Sequence, residues 1–213
     1  KGDALLIVDV QNDFLPGGAL AIENGDEIIP ELNQVLKQAA EARIPVYASR
    51  DWHPAGHISF QDQGGDWPPH CLQDTQGAAF SSALDLPEDA VVVTKGVRFD
   101  KDQNSAFDQT GLAERLKKDG IRRLVVGGLA QDVCVLATVL DARSHGFDVL
   151  LLEEGTKPVS AEGGRKALTD MIKAGAKFVD AELDVCTYAP EWAEHQRPGD
   201  PEDACDDGRS GKI

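Results

Sequence analysis

Short apolar runs recur along the chain at residues 4–8, 44–49, 90–94, 123–126 and 149–152, with a weaker one at 177–179. Within a run such as Ala4-Leu5-Leu6-Ile7-Val8 nothing polar alternates, so both faces are covered, as in the strands of a parallel sheet. Between the runs the period changes to that of a helix. Residues 27–43 carry Ile28, Ile29, Leu32, Val35, Leu36 and Ala39 on one stripe, with Pro30 tolerated in the first turn. Thr110 is expected to cap a helix over 111–119 that Gly120 ends, and 132–145 and 160–174 are closed by Gly146 and Gly175. Strand and helix in repeated alternation predict an α/β fold, a single-domain, doubly wound, mostly parallel sheet with helices on both faces. Sites in such folds lie at the carboxyl ends of the strands.

Two stretches leave this pattern. Residues 50–88 are long, hold Gly, Pro, Trp and His, and show no sustained period; a loop of that length in a compact domain is usually functional. Residues 190–213 turn to Pro, Gly and acid, which predicts a folded domain over 1–189 and a flexible acidic tail over 190–213.

Charge narrows the field of partners. Against 21 Lys+Arg stand 37 Asp+Glu, a net −16 in 213 residues, which argues against nucleic acid and against an anionic membrane surface. The first apolar run is stopped by Asp9, too early for a signal peptide or a membrane helix. Cys71, Cys134, Cys186 and Cys205 are scattered without a tight framework, so we expect a cytoplasmic protein with reduced thiols. A disulfide between Cys186 and Cys205 stays open, as does assembly into a homo-oligomer.

Three polar residues fall where strands should end. Asp9 closes the first, Lys95 closes the third, and Cys134 stands in the first turn of the helix after the fourth. There the helix dipole and a nearby lysine would favour a thiolate nucleophile, and Asp9 would move the proton. Taken singly, each also fits a structural role.

The irregular loop adds a second group. Asp51 and His53, two apart in extended chain, project to one side, and Trp67-Pro68-Pro69-His70-Cys71 returns a further imidazole. Carboxylate plus imidazoles suits one divalent ion, with Zn, Fe and Mn all compatible. A polar loop whose histidines cap turns is the alternative, but it must explain why His53, His57 and His70 share one loop. Cys71 reads as a buried structural thiol.

These residues carry a resemblance. Asp9-Val10-Gln11-Asn12-Asp13-Phe14, Arg50-Asp51-Trp52-His53-Pro54-Ala55-Gly56-His57-Ile58-Ser59-Phe60, Trp67-Pro68-Pro69-His70-Cys71, Lys95-Gly96 and Gly127-Gly128-Leu129-Ala130-Gln131-Asp132-Val133-Cys134-Val135 resemble the nicotinamidase/pyrazinamidase branch of the isochorismatase-like cysteine hydrolases. The resemblance runs in order from Ala4 to about Val179.

It implies a six-stranded sheet, a catalytic triad of Asp9, Lys95 and Cys134, and a metal, zinc foremost, on Asp51, His53 and His70. His57 stands where some members supply a further ligand. It also implies a cis Leu129–Ala130 peptide and an oxyanion hole from the Ala130 and Cys134 N–H groups. Gln11, Phe14, Trp67, Leu129, Ala130 and Val133 would line the substrate pocket. Phe99, Asp100, Asn104, Ser105 and Phe107 would be scaffold. Gln131, where relatives carry a smaller residue, would alter the pocket wall.

The implied activity is deamidation of a small neutral aromatic amide, nicotinamide or pyrazinamide, through a thioester, with the metal binding the ring nitrogen or orienting water. An intact metal loop and nucleophile speak against isochorismatase itself. A carbamoyl or ureido amidohydrolase and a non-catalytic metal-binding protein of the same fold are the competing readings.

Overall fold

The computed structural model describes residues 2–181. The boundary expected at residue 190, the acidic tail, Cys186 and Cys205 lie outside the described residues. The strands are β1 (Asp3–Val8), β2 (Val46–Asp51), β3 (Val91–Lys95), β4 (Arg123–Leu129), β5 (Asp148–Lys157) and β6 (Lys177–Val179). They form one sheet in the order β3-β2-β1-β4-β5-β6, every neighbouring pair parallel. The helices are α1 (Ile29–Glu41), α2 (Leu112–Lys118), α3 (Leu136–Ser144) and α4 (Ala161–Lys173).

Side-chain alternation divides the core. Leu5 and Ile7 of β1 join a cluster with Leu32, Val35 and Leu36 of α1. Ala4, Leu6 and Val8 point the other way, into a cluster with Leu116 of α2, Val139 of α3 and Met171 of α4. Both faces of β1 are therefore dry, which is why its sequence is apolar without a period of two.

The strand order reverses direction between β1 and β4. At that switch point the loops leaving the two carboxyl ends diverge and leave a crevice.

Several boundaries differ from the sequence reading. Residues 27 and 28, expected in the first helix, belong instead to a separate 3-10 turn, Gly25–Ile28, before α1. Gly111, not Thr110, occupies the N-cap of α2; the Thr110 hydroxyl oxygen accepts from Leu112 N–H at 3.3 Å one residue further back. The helix expected from 132 begins as a wide π-type turn, Gln131–Val135, before α3. β5 runs on to Lys157 through exposed Glu153 and Glu154, after its pairing with β4 shifts register between Val126 and Gly128. Ser160, placed inside the helix by the sequence pattern, is the N-cap of α4, accepting from Gly163 N–H at 3.0 Å.

Candidate active site

Asp9 is the first residue past β1 and has a left-handed backbone, φ 49°. Its carboxylate accepts from the Ser49 hydroxyl at 2.7 Å and pairs with Lys95 Nζ at 2.7 Å. Lys95 ends β3 and is wholly buried. Its ammonium also reaches Asp51 Oδ1 at 2.6 Å and Cys134 Sγ at 3.4 Å. The structure thus brings together Asp9, Lys95 and Cys134, all without appreciable solvent exposure.

Burial works against the Lys95 ammonium, but Asp51, Asp9 and Cys134 around it outweigh that and hold its pKa well above the usual lysine range. Burial raises Asp9 despite Lys95, and the nearby Asp51 charge adds to the rise. For Asp51 burial is outweighed by Lys95 and His53, which keep it ionised.

Cys134 departs from expectation. Burial pushes its thiol well above the usual range, and the two carboxylates add to what Lys95 alone cannot offset. Burial and the neighbouring carboxylates thus favour the thiol of Cys134 over the thiolate, against the pull of Lys95. Two carboxylates stand near the thiol: oxygen and sulfur atoms of Asp9, Asp51 and Cys134 lie within 4.8 Å of one another.

The second group is Asp51, His53 and His70, whose donor atoms also lie within 4.8 Å of one another. Asp51 Oδ2 is 3.6 Å from His53 Nε2 and 3.9 Å from His70 Nε2. Separations of this size suit a shared ion bound at about 2.0–2.2 Å from each atom. His53 Nδ1 is 2.8 Å from the Gly96 carbonyl and His70 Nδ1 is 2.7 Å from the Pro68 carbonyl. A carbonyl can only accept, so each Nδ1 carries a proton and each Nε2 is left to face the site, where, against burial, the Asp51 carboxylate raises the pKa of His53. The returning chain is held by His53 N–H donating to Cys71 C=O at 2.8 Å and Gln73 N–H donating to His53 C=O at 2.9 Å. That pairing delivers His70 from the far end of the loop.

His57 is placed differently. Its donor groups with those of His53 and Asp102, not with the three above. Its Nδ1 lies 2.7 Å from Ser59 Oγ, and its buried Nε2 has no hydrogen-bond partner. Burial holds both His57 and His70 below the usual histidine range, in the neutral form a metal requires. Phe60, which the sequence reading did not single out for a role, packs its ring against His53, His57 and His70.

Both groups open on one pocket. Of the residues expected to line it, Phe14, Trp67, Ala130 and Val133 do so. Gln11 and Leu129 do not: Leu129 is wholly buried in the core, and the Gln11 amide is spent on the backbone of Asp51 and Ala78. Gln131 also turns away, donating to Thr156 Oγ1 at 2.7 Å, so it does not shape the wall. Leu20, Ala21, Ile22, Asp102 and Val159 line the pocket without having been singled out, and Asn104 does so although it was expected to be scaffold. Their positions follow from chain return, not from a local pattern. Phe99 is 65% exposed and so is not a packed scaffold residue. The Leu129–Ala130 peptide is cis.

A doubly wound sheet with a buried thiol beside a lysine and a carboxylate, and with a three-donor group able to hold a metal ion, at its switch point defines an α/β hydrolase. The isochorismatase domain model matches residues 3–182, and the chain belongs to that family. Among its relatives, the nicotinamidase of Acinetobacter baylyi is 35% identical over 201 residues, covering 84% of this chain and 92% of that protein. A structure of the pyrazinamidase of Pyrococcus horikoshii in complex with zinc is similar with a TM-score of 0.82 and 45% identity, covering 84% of this chain and 99% of that one. PnC1 from L. infantum in complex with nicotinate gives a TM-score of 0.77 at 37% identity, covering 84% and 93%. Among the described residues no helix is long and apolar enough to cross a membrane.

Proposed function

We propose that the protein is a metal-dependent cysteine amidohydrolase that converts nicotinamide to nicotinate and ammonia and accepts pyrazinamide by the same route. The observation that carries this reading is the Lys95 ammonium, which touches Asp9, Cys134 and Asp51, the last two of which line one largely apolar pocket. Phe14 and Trp67 supply the walls an aromatic ring needs. A carbamoyl or ureido substrate would leave those walls without a partner.

The Cys134 thiol passes its proton to Asp9 as Sγ attacks the carboxamide carbon. The Ala130 and Cys134 N–H groups receive the oxyanion, each donor worth about 3–4 kcal/mol in such sites. Asp9 hands the proton to the amine, the C–N bond breaks, and ammonia leaves a thioester on Cys134. Asp9 then draws a proton from water as its oxygen attacks the thioester; nicotinate departs and the proton returns to sulfur. Lys95 keeps its charge throughout and holds both anions in place.

Asp51, His53 and His70 would hold the metal, with His57 beside them, and the bound ion supplies a Lewis-acid anchor for the pyridine nitrogen. Zinc is our assignment within a donor set that also suits Fe and Mn. A thiol nucleophile of this kind belongs in a reducing compartment, and we assign the protein to the cytoplasm.

Ammonia release from nicotinamide tests the reading. Zinc-loaded wild type should turn over and Cys134→Ala should not, while both retain the metal. No turnover by the loaded wild type would sink the substrate assignment, and equal turnover by Cys134→Ala would sink the mechanism.

A further inference from the structure

Gln11 and Asp13 lie on either side of Asn12, just before the pocket residue Phe14, and neither has been given a working role by the chemistry above. Gln11 is fully buried. Its Oε1 accepts from Asp51 N–H at 2.8 Å, and its Nε2 donates to the Asp51 carbonyl at 2.7 Å and the Ala78 carbonyl at 2.8 Å. Both of its N–H groups are thereby used, which leaves nothing to offer a substrate. It grips the backbone of one metal-facing residue from both sides.

Asp13 does the same for the other arm of the site. Its Oδ2 accepts from Cys71 N–H at 2.7 Å, directly behind His70, and its Oδ1 accepts from Ala19 N–H at 3.1 Å. Cys71 has a left-handed backbone, φ 46°, a conformation costly to a residue with a Cβ and kept only where surroundings impose it. The space for the Asp13 carboxylate is reserved by Gly77, where an added Cβ would lie 2.3 Å from Oδ2. Between the two, Asn12 is pinned by its N–H to Ala79 C=O at 3.0 Å and by Nδ2 to Gln76 C=O at 2.8 Å. Phe14, next in the chain, has its ring centroid 5.6 Å from that of His70.

We infer that Gln11 and Asp13 are positioning residues that fix the metal-ligand geometry, Gln11 through the backbone of Asp51 and Asp13 through the chain behind His70. One short turn thereby binds the aromatic wall of the pocket and the metal ligands into a single unit. The inference rests on the reading of Asp51, His53 and His70 as a metal site, and it goes further by naming what holds them.

Gln11→Glu puts an anion against two carbonyls, and Asp13→Asn turns an amide N–H toward a backbone donor; both keep the shape of the original. Gly77→Ala keeps both side chains and crowds the Asp13 carboxylate. The full chain, stripped of metal, is titrated with Co²⁺ without substrate, and affinity and visible absorption bands are read beside circular dichroism. Folded variants should bind Co²⁺ about 10–100-fold more weakly, with altered bands, as loss of groups that orient ligands does elsewhere. A core variant remote from the site, Leu116→Ala, should lower thermal stability and leave the bands unchanged.

Wild-type affinity and bands in folded Gln11→Glu and Asp13→Asn would overturn the inference. Should either fail to fold, Gly77→Ala decides by the same readout. A wild type that takes up neither Co²⁺ nor Zn²⁺ would instead overturn the metal reading on which the inference stands.

Discussion

Lys95 Nζ stands 2.6 Å from Asp51 Oδ1, and this buried ion pair joins Cys134 to the group formed by Asp51, His53 and His70. In the parallel pairing of β2 with β3, Asp51 lies opposite Lys95, so the two side chains leave the sheet on the same face. The remaining carboxylate oxygen of Asp51 turns to His53 and His70. The site is therefore one network of charge, in which the lysine serves both halves.

Lys95→Met should be costly in two ways. It strands Asp9 and Asp51 as buried anions, a loss of about 3–5 kcal/mol when one partner of a buried pair is removed. Ammonia release should fall about 10⁴-fold or more, as when a member of a catalytic unit is deleted. Equilibrium unfolding and steady-state kinetics read the two effects separately, and a near-normal rate in the folded variant would contradict the role given to Lys95.

Gly96 has φ +71°, and a Cβ there would lie 2.6 Å from His53 Cε1. Gly96→Ala should therefore displace the His53 ring while keeping every metal-facing side chain in the protein. Zinc affinity should drop about tenfold or more, measured by chelator competition. Unchanged zinc binding would show that the ring can move aside at no cost.

The pocket walls make contrasting predictions. Phe14→Ala removes an aromatic wall and should raise KM for nicotinamide more than it lowers kcat. Gln131→Ala should leave KM where it is, because that amide bonds to Thr156. Its cost should appear as about 1–2 kcal/mol of stability instead. A KM shift in Gln131→Ala as large as that of Phe14→Ala would place Gln131 in the pocket after all.

At the opposite end of the sheet the Tyr47 hydroxyl donates to Asp119 at 2.6 Å. Burial, then Asp119 as acceptor and as charge, pushes its pKa from the usual 10.0 to about 12. The folded state thus holds a proton that the unfolded chain releases. The stabilisation is complete below pH 10 and is lost as pH rises through about 12. Unfolding midpoints of wild type and Tyr47→Phe, compared at pH 8 and pH 11, should converge at the higher pH. A gap that stays constant would show that Tyr47 titrates alike in both states.

Much of the site was legible because its chemistry follows strand ends. Asp9 and Lys95 each terminate or follow an apolar run, and a parallel sheet gathers such residues on one edge, whereas Asp51, expected in the irregular loop, proves to be the last residue of β2. His53 and His70 were legible as residue types in a loop too long to be a mere connection. Gln11 was not legible in the same way. Its residue type suits a ligand contact equally well, and only the arrival of Asp51 and Ala78 on either side of its amide shows where its hydrogen bonds go.

The protonation of Cys134 marks the limit more sharply. A cysteine near a helix start with a lysine brought beside it reads as a thiolate when only the helix dipole and that one cation are weighed. Burial and the Asp9 and Asp51 carboxylates act the other way and push the thiol above its usual range. Likewise β5 outruns its apolar core, because pairing with β4 resumes beyond a register shift that exposed Glu153 and Glu154 do not signal.

What the sequence by itself determined is the run of buried strands, the helix stripes and the residue types at strand ends, since period and burial are properties of neighbouring positions. Tertiary structure alone decided which carboxylate meets Lys95, which side chains reach the pocket, and that Gln11 and Asp13 grip the backbone of the metal loop. Those outcomes depend on distances between segments far apart in the chain, and on the loss of water around charges that only packing brings together.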